Sequence, residues 1–256
     1  MTAPRVYQTE AIIIKRIKLG EADRILTLYT PELGKLKAVA KGTRRPQSKL
    51  GGHVELLTHS RLMLARGRNL DIITQAQTIN NFLAIKDDLE LISRGLYIAE
   101  LVDSFTGEHI EDRRIFDLVL DALQQLSHAN DCELVLRYFE LHLLNYLGYR
   151  PQLQQCTECN SPLKPEANFF SPSRGGVLCH DCGFHEPVAR PISLNALKVL
   201  RLWQNCDYAA ARRVKISSKL DTELEQVMRE HIKYLLEKQL KSTAWLDKLK
   251  GTTKPK

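Results

Sequence analysis

The chain has no apolar run long enough to span a membrane, and its first residues, Met1 to Tyr7, lack the charged, apolar and small-residue blocks of a secretory signal. Both absences point to the cytoplasm as the expected site of action. Catalytic signatures are missing as well: there is no GxxxxGK[ST] phosphate loop and no GxGxxG, HExxH or GxSxG. The acids of the N-terminal third, Glu10, Glu21, Asp23, Glu32, Glu55 and Asp71, are scattered rather than paired to hold two metals. An enzyme is not expected. The six cysteines do not suggest a disulfide framework either, since Cys132 and Cys206 lie inside apolar helical patterns that bury free thiols. Internal repeats and low-complexity stretches are absent.

What is present begins with the other four cysteines. Cys156-Thr-Glu-Cys159 is followed, after nineteen residues, by Cys179-His-Asp-Cys182. Two residues between paired thiols let one tight turn aim both sulfurs at a single ion, and the insert is long enough for a hairpin that returns the second pair. Four sulfurs close a tetrahedral shell, so a zinc ion held this way is structural and has no open position for chemistry. An iron–sulfur cluster or a pair of redox disulfides could use the same residues, although a reducing compartment disfavours disulfides. His180 and His185 lie close enough to compete as ligands but are not needed for a full shell, and they read as loop residues.

The net charge of +7 conceals a pattern along the chain. Residues 1–81 carry 14 basic and 6 acidic groups, residues 82–150 carry 6 and 13, residues 151–192 carry 3 and 4, and residues 193–256 carry 14 and 7. Two basic ends flanking an acidic middle are expected of a protein whose ends approach a polyanion.

From Val6 to Asn80, short apolar alternations at 9–17, 24–29, 35–41, 54–64 and 70–79 are separated by Gly20, by Pro31 to Gly34 and by Arg66 to Asn69. That predicts five strands. Five strands in about eighty residues suit an OB-type barrel, which commonly binds single-stranded nucleic acid, and suit an SH3-like barrel nearly as well. The connection from Gly42 to Gly52 is polar and basic, and with Lys15, Arg16, Lys35, Lys37 and Lys41 it gives a cationic barrel suited to phosphate contact.

Helical spacing begins at Asp87 and runs through Leu89, Ile92, Leu96, Ala99 and Val102 to Phe105, with Asp87 or Asp88 as its cap. A second helix has Phe116, Val119, Leu120, Leu123 and Leu126 on its inner face, behind Glu111 and Asp112. The third, from Glu133 to Leu147, is apolar nearly all round and is expected to be central; Gly148 and Pro151 end it. Tyr138, Phe139 and Tyr146 on it read as core. Beyond the cysteines, Ser193 caps one helix and Ser217 or Ser218 another, and a basic tail follows with Trp245, Leu246 and Leu249 as its anchor. The expected architecture is therefore multidomain α+β. Residues 1–81 form an OB-type DNA-binding barrel, 82–150 and 193–242 form a helical domain, 151–192 form an inserted four-cysteine zinc module, and 243–256 form a basic tail.

Four stretches, EADRILTLYT (21–30), GKLKAVAKGTRRPQSKL (34–50), LYIAEL (96–101) and LRYFELHLLNYLGYRP (136–151), resemble the bacterial RecO recombination mediators, in their order and at their distances. The cysteine module follows the LGYRP end of the central helix, as in the zinc-bearing members of that family. The resemblance implies an N-terminal OB fold, a helical domain interrupted by the zinc module, and a non-enzymatic role in recombinational repair. It implies binding of single- and double-stranded DNA, annealing of complementary strands, action with RecR to load RecA, and contact with the acidic tail of single-strand binding protein. The basic residues in matching segments, Lys35, Lys37, Lys41, Arg44, Arg45 and Lys49, are the implied DNA contacts. Arg137, a cation on an otherwise apolar helix within a matching stretch, is the candidate anchor for the acidic tail, with pairing to Glu133 or Glu140 one turn away as the other reading and with Arg113 and Arg114 as further choices. The resemblance also implies a bacterial, nucleoid-associated location. Two other readings stay open at this point: an RNA-binding zinc-module protein, and a nucleic-acid-processing enzyme whose acids are not recognisable in sequence.

Overall fold

The computed structural model describes residues 5–128 and 131–237, which fall into two compact units divided between those segments. The basic tail, with Trp245, Leu246 and Leu249, lies outside the described residues.

In the first unit, β1 (Val6–Leu19), β2 (Asp23–Thr30), β3 (Gly34–Ala40), β4 (His59–Ala65) and β5 (Asp71–Asn80) form a mostly antiparallel sheet in the order β1-β2-β3-β5-β4. β4 pairs in turn with β1, and β3 meets β5 in a short parallel contact at Ala38 and Val39, so every strand has two neighbours. Alternation sets the inner face: Ala11 and Ile13, Leu26 and Leu28, Leu36 and Ala38, Leu62 and Leu64 point into one cluster with Val54 and Ile73. The opposite face of β2 is buried too, at Thr27 and Tyr29, because the helices that follow cover it. These are α1 (Leu83–Lys86), α2 (Leu89–Phe105) and α3 (Arg113–Leu126); α2 packs on β1 and α3 on β2. Asp88 caps α2 by accepting from the Glu90 and Leu91 amides, and Asp112 caps α3.

The fourth strand starts later than its apolar pattern suggests. Gly51–Val54 is a 3₁₀ turn, and Leu57 takes a left-handed backbone at φ 60°, its amide donating to the Ile13 carbonyl of a bulged β1 while the Ile13 amide donates to the Thr58 carbonyl. Val54 and Leu57 are fully buried, which accounts for an apolar run that is not strand. The compositional boundary at residue 81 likewise does not separate compact units. α2 and α3 stay with the strands: α3 by packing on β2, and α2 by packing on β1 and by the ion pairs described below.

In the second unit, α4 (Cys132–Tyr146) is the central helix: Leu134, Val135, Leu136, Phe139, Leu141, Leu143 and Leu144 are all buried. It ends at Gly148, which is left-handed at φ 82°. A small three-stranded sheet, β7-β6-β8, follows from β6 (Asn168–Ser171), β7 (Gly176–Leu178) and β8 (Arg190–Ile192), with α5 (His180–Phe184) packed on β6. Then come α6 (Leu194–Trp203), α7 (Tyr208–Ala211) and α8 (Ser218–Leu236), capped by Ser193, Asp207 and Ser217, and α8 packs on both α4 and α6. No helix among the described residues is long and apolar enough to cross a membrane.

Candidate nucleic-acid interface and metal centre

The cations of the first unit divide into two sets. On β1 and β3, Lys15 and Lys35 converge on one acid of α2. Lys15 Nζ lies 2.7 Å from Asp103 Oδ2, and Lys35 Nζ donates to the Asp103 carbonyl at 2.6 Å and lies 3.3 Å from its Oδ1. Burial alone would raise the Asp103 carboxyl, but Lys15 and Lys35 hold it below its ordinary value. Two residues along β3, Lys37 pairs with Glu108 at 2.5 Å; this contact raises the ammonium and lowers the carboxyl. The connection carrying Glu108 is fastened to the strand by its backbone, since the His109 amide donates to the Lys35 carbonyl at 2.8 Å. Gly34 makes this approach possible: its φ is +62°, and a Cβ there would stand 1.9 Å from the Ile110 carbonyl oxygen. Lys35 is therefore corrected as a DNA contact. Only 7% of it is exposed, and its charge is already satisfied. Lys37 is exposed but occupied.

The second set lies where β1, β2 and β3 end. Here the Gly42 to Gly52 connection is not a solvated linker. Asp23 accepts from the Gly42 amide at 2.7 Å, the Arg44 amide donates to the Ala22 carbonyl at 3.0 Å, and Thr43 is buried with its hydroxyl on the Ala40 carbonyl. Within the loop, the Ser48 amide donates to the Arg45 carbonyl and the Gly51 amide to the Ser48 hydroxyl. The loop is thus docked on the β1–β2 turn with its charged side chains turned out. Lys41, Arg44, Arg45 and Lys49 are exposed; Arg44 reaches the Gly20 carbonyl, and none of the four has an ion pair among the described residues. Lys18, at the end of β1 and opposite Arg24, is exposed in the same way. The motif comparison missed it because it lies outside the matching stretches. Nearby Arg16 and Arg24 are both taken by Glu55, so they do not add to the free set.

The arginines suggested for an acidic tail are placed differently. Arg137 is 3% exposed and donates to Glu140, itself fully buried, at 2.8 Å. A guanidinium enclosed with its own carboxylate offers no surface cation, which corrects that expectation. Arg113 is exposed and 3.7 Å from Asp117, and Arg114 makes a two-pronged contact with the capping Asp112.

The four cysteines do come together. Their sulfurs lie within 4.8 Å of one another, and Cys159 and Cys179 are 3.8 Å apart. Metal–thiolate bonds of 2.3 Å in a tetrahedron separate their sulfurs by about 3.8 Å, so the set fits one ion, whereas a multi-iron cluster would spread its thiolates further. The charges agree with this. Ser161 lowers the Cys159 thiol to about 6, while the neighbouring sulfurs, Cys179 first, raise Cys182 to about 12. Thiolates in one cluster oppose each other's ionisation, and a bound cation removes the conflict. The module has little else to hold it, with a core of Cys156, Leu178 and Ala189 backed by Leu163 and Phe169. His180 and His185 are not in the cluster.

Comparison with known proteins adds a family to this geometry. A family model described as Recombination protein O N terminal matches residues 1–82, and one described as Recombination protein O C terminal matches residues 86–244. The chain is 43% identical over 249 residues to a protein of Dehalococcoides mccartyi (strain 195) named DNA repair protein RecO, covering 97% of this chain and 98% of that one. Proteins of the same name from Roseiflexus sp. (strain RS-1) and Desulforamulus reducens are 45% and 36% identical, covering 95% and 96% of this chain and 86% and 95% of theirs.

Proposed function

The chain belongs to the RecO family of DNA repair proteins, and from that premise we propose that it is a non-enzymatic recombination mediator whose DNA surface is the docked loop at Lys41, Arg44, Arg45 and Lys49, with Lys18 beside it. It binds single and double strands through their phosphates, anneals complementary strands, and acts with RecR to load RecA onto DNA coated by single-strand binding protein. The observation that carries this reading is the loop itself: a fixed backbone presents several cations that have no acid of their own among the described residues. Phosphate contacts are indifferent to base sequence, which annealing requires, and they leave base edges free to pair. The circular strand pairing supports an OB-type barrel as the platform.

With Arg137 buried, the acidic tail of single-strand binding protein is assigned to Arg113 and Arg114 at the start of α3. Cys156, Cys159, Cys179 and Cys182 hold one structural zinc, which would supply folding free energy to a module short of apolar core. The action is cytoplasmic, on the nucleoid. Strand annealing measured with bare strands and with strands coated by single-strand binding protein tests the whole reading: activity in both, stimulated by RecR in the second, is expected. Failure on bare strands would refute it. The zinc assignment is tested by Cys179→Ser, which should release about one equivalent of zinc and lower thermal stability; annealing should fall only as far as folded protein is lost. A folded, metal-free variant without any annealing activity would give the metal a direct role instead.

A further inference from the structure

A groove of about 410 Å³ lies on the strand unit where β1 begins, lined among others by Tyr7, Gln8, Glu10, Glu32, Arg61 and Arg66. None of these belongs to the loop surface. Tyr7, in the groove wall, is held by Asp71, whose carboxylate accepts from the Tyr7 hydroxyl at 2.6 Å and from the Gly67 amide at 3.1 Å, tying the aromatic ring to the β4–β5 turn. That turn is tight, since a Cβ on Gly67 would stand 1.9 Å from the Leu70 carbonyl oxygen. The Arg66 amide is bound to the Arg5 carbonyl, and the Arg66 guanidinium lies over the Tyr7 ring, 5.1 Å from its centre. The Arg66 cation is thus backed by the Tyr7 ring, is exposed, and lines the groove.

We propose that this groove receives one unpaired nucleobase of a single strand, stacked on the outer face of the Arg66 guanidinium. The proposal rests on reading the chain as a DNA-binding protein. Stacking on arginine planes and aromatic rings is how unpaired bases are held irrespective of sequence. The groove volume lies within the range of small-molecule sites. Its carboxylates match the amine edges of bases: Glu10 is held by His59 and Arg61, and Glu32 by the Thr9 hydroxyl at 3.1 Å, leaving acceptor capacity for an exocyclic N–H. The same two carboxylates balance Arg61 and Arg66, so the groove carries no net positive charge to draw in an acidic peptide, the competing occupant. Arg68, exposed in the β4–β5 turn and without an ion pair among the described residues, supplies charge for an adjoining phosphate. A duplex cannot enter, because its bases are covered on both faces by their neighbours. The loop thus binds any phosphate chain, and the groove gives the protein a preference for unpaired strand.

The test is equilibrium binding of the full chain and of Arg66→Lys to three ligands: a mixed-sequence single strand, the same strand with abasic residues, and its duplex. Lysine keeps the charge and loses the plane. Arg66→Lys should weaken the normal single strand roughly tenfold, toward the low end of what one stacked base contributes. Binding of the abasic strand and the duplex should change by less than about twofold, and the salt slope should not change. Equal weakening of all three ligands would make Arg66 a phosphate contact only, and no weakening of any would mean the groove is unused; either result overturns the proposal. So would an acidic peptide that displaces the wild-type chain from single strand but not the Arg66→Lys variant. Absence of binding to all three ligands by the wild-type chain would instead refute the DNA reading on which the proposal rests.

Discussion

Lys35 and Arg45 are ten residues apart in one basic stretch, yet one is buried on a carboxylate and the other stands free on a docked loop. The strand unit meets its first set of cations, Lys15, Lys35 and Lys37, with acids from α2 and from the connection that follows it. It leaves the second set, Lys41, Arg44, Arg45 and Lys49, without any among the described residues. The difference shows what excess charge in this molecule is for. Part of it fastens acidic helices to basic strands, and only the remainder is available to a polyanion. These ion pairs add to the packing that keeps α2 in the strand unit although its composition sets it apart.

The comparison breaks most visibly if the free set is removed. Arg44→Ala, Arg45→Ala and Lys49→Ala together should lower the slope of log affinity against log salt by about 2, and weaken single-strand binding on the order of a hundredfold at 0.1 M salt. Titrations at several salt concentrations measure both, and an unchanged slope would return the loop to a structural role. Removing a covered cation should do the reverse. Lys35→Met leaves Asp103 half-buried with one partner fewer, which should cost about 1–3 kcal/mol in chemical denaturation and leave the salt slope of binding untouched.

The same pair predicts a pH dependence. Asp103 is held below its ordinary value in the fold, so its contribution to stability is fully present above the unfolded carboxyl value and is lost as pH falls through the lower, folded one. Asp103→Asn should remove that acid-side loss, which denaturation curves at stepped pH would reveal. The smallest effect, and the one that sharpens the comparison most, comes from Glu108→Gln. It should convert Lys37 from a covered cation to a free one, steepening the salt slope by at most about 0.7 and tightening binding no more than about fivefold at 0.1 M salt. If Lys37 freed in this way adds nothing, position as well as pairing decides which cations meet DNA.

Much of this was legible beforehand. The two cysteine pairs identified a metal set because spacing alone constrains where their sulfurs can go, and the four converge. Asp88, Ser193 and Ser217 as caps and Gly148 as a helix terminator followed from local chemistry, which a pattern of neighbours contains. Partner choice over long separations was not legible. Asp103 lies 68 residues beyond Lys35 and 88 beyond Lys15, and nothing near either lysine reports that the acid will arrive. Arg137 shows the boundary between the two cases: its partner, Glu140, is one turn away and was among the candidates, but burial of the pair depends on the whole unit. The apolar stretch before His59 misled for a further reason. Val54 and Leu57 fill the core from a turn, and hydrophobicity records burial without recording the backbone that achieves it.

The loop from Gly42 to Gly52 is held chiefly by main-chain donors and acceptors, through the Gly42, Arg44, Arg45, Ser48 and Gly51 positions, and by Asp23 beneath it. Its shape therefore owes little to which side chains stand at 45, 47 and 49. Those positions behave as a panel whose charge can be rewritten while its mounting stays fixed. A graded series at them, from arginine through glutamine to glutamate, would tune strand affinity over a wide range on a constant scaffold, and descendants of this chain could drift in DNA affinity without first having to solve a folding problem.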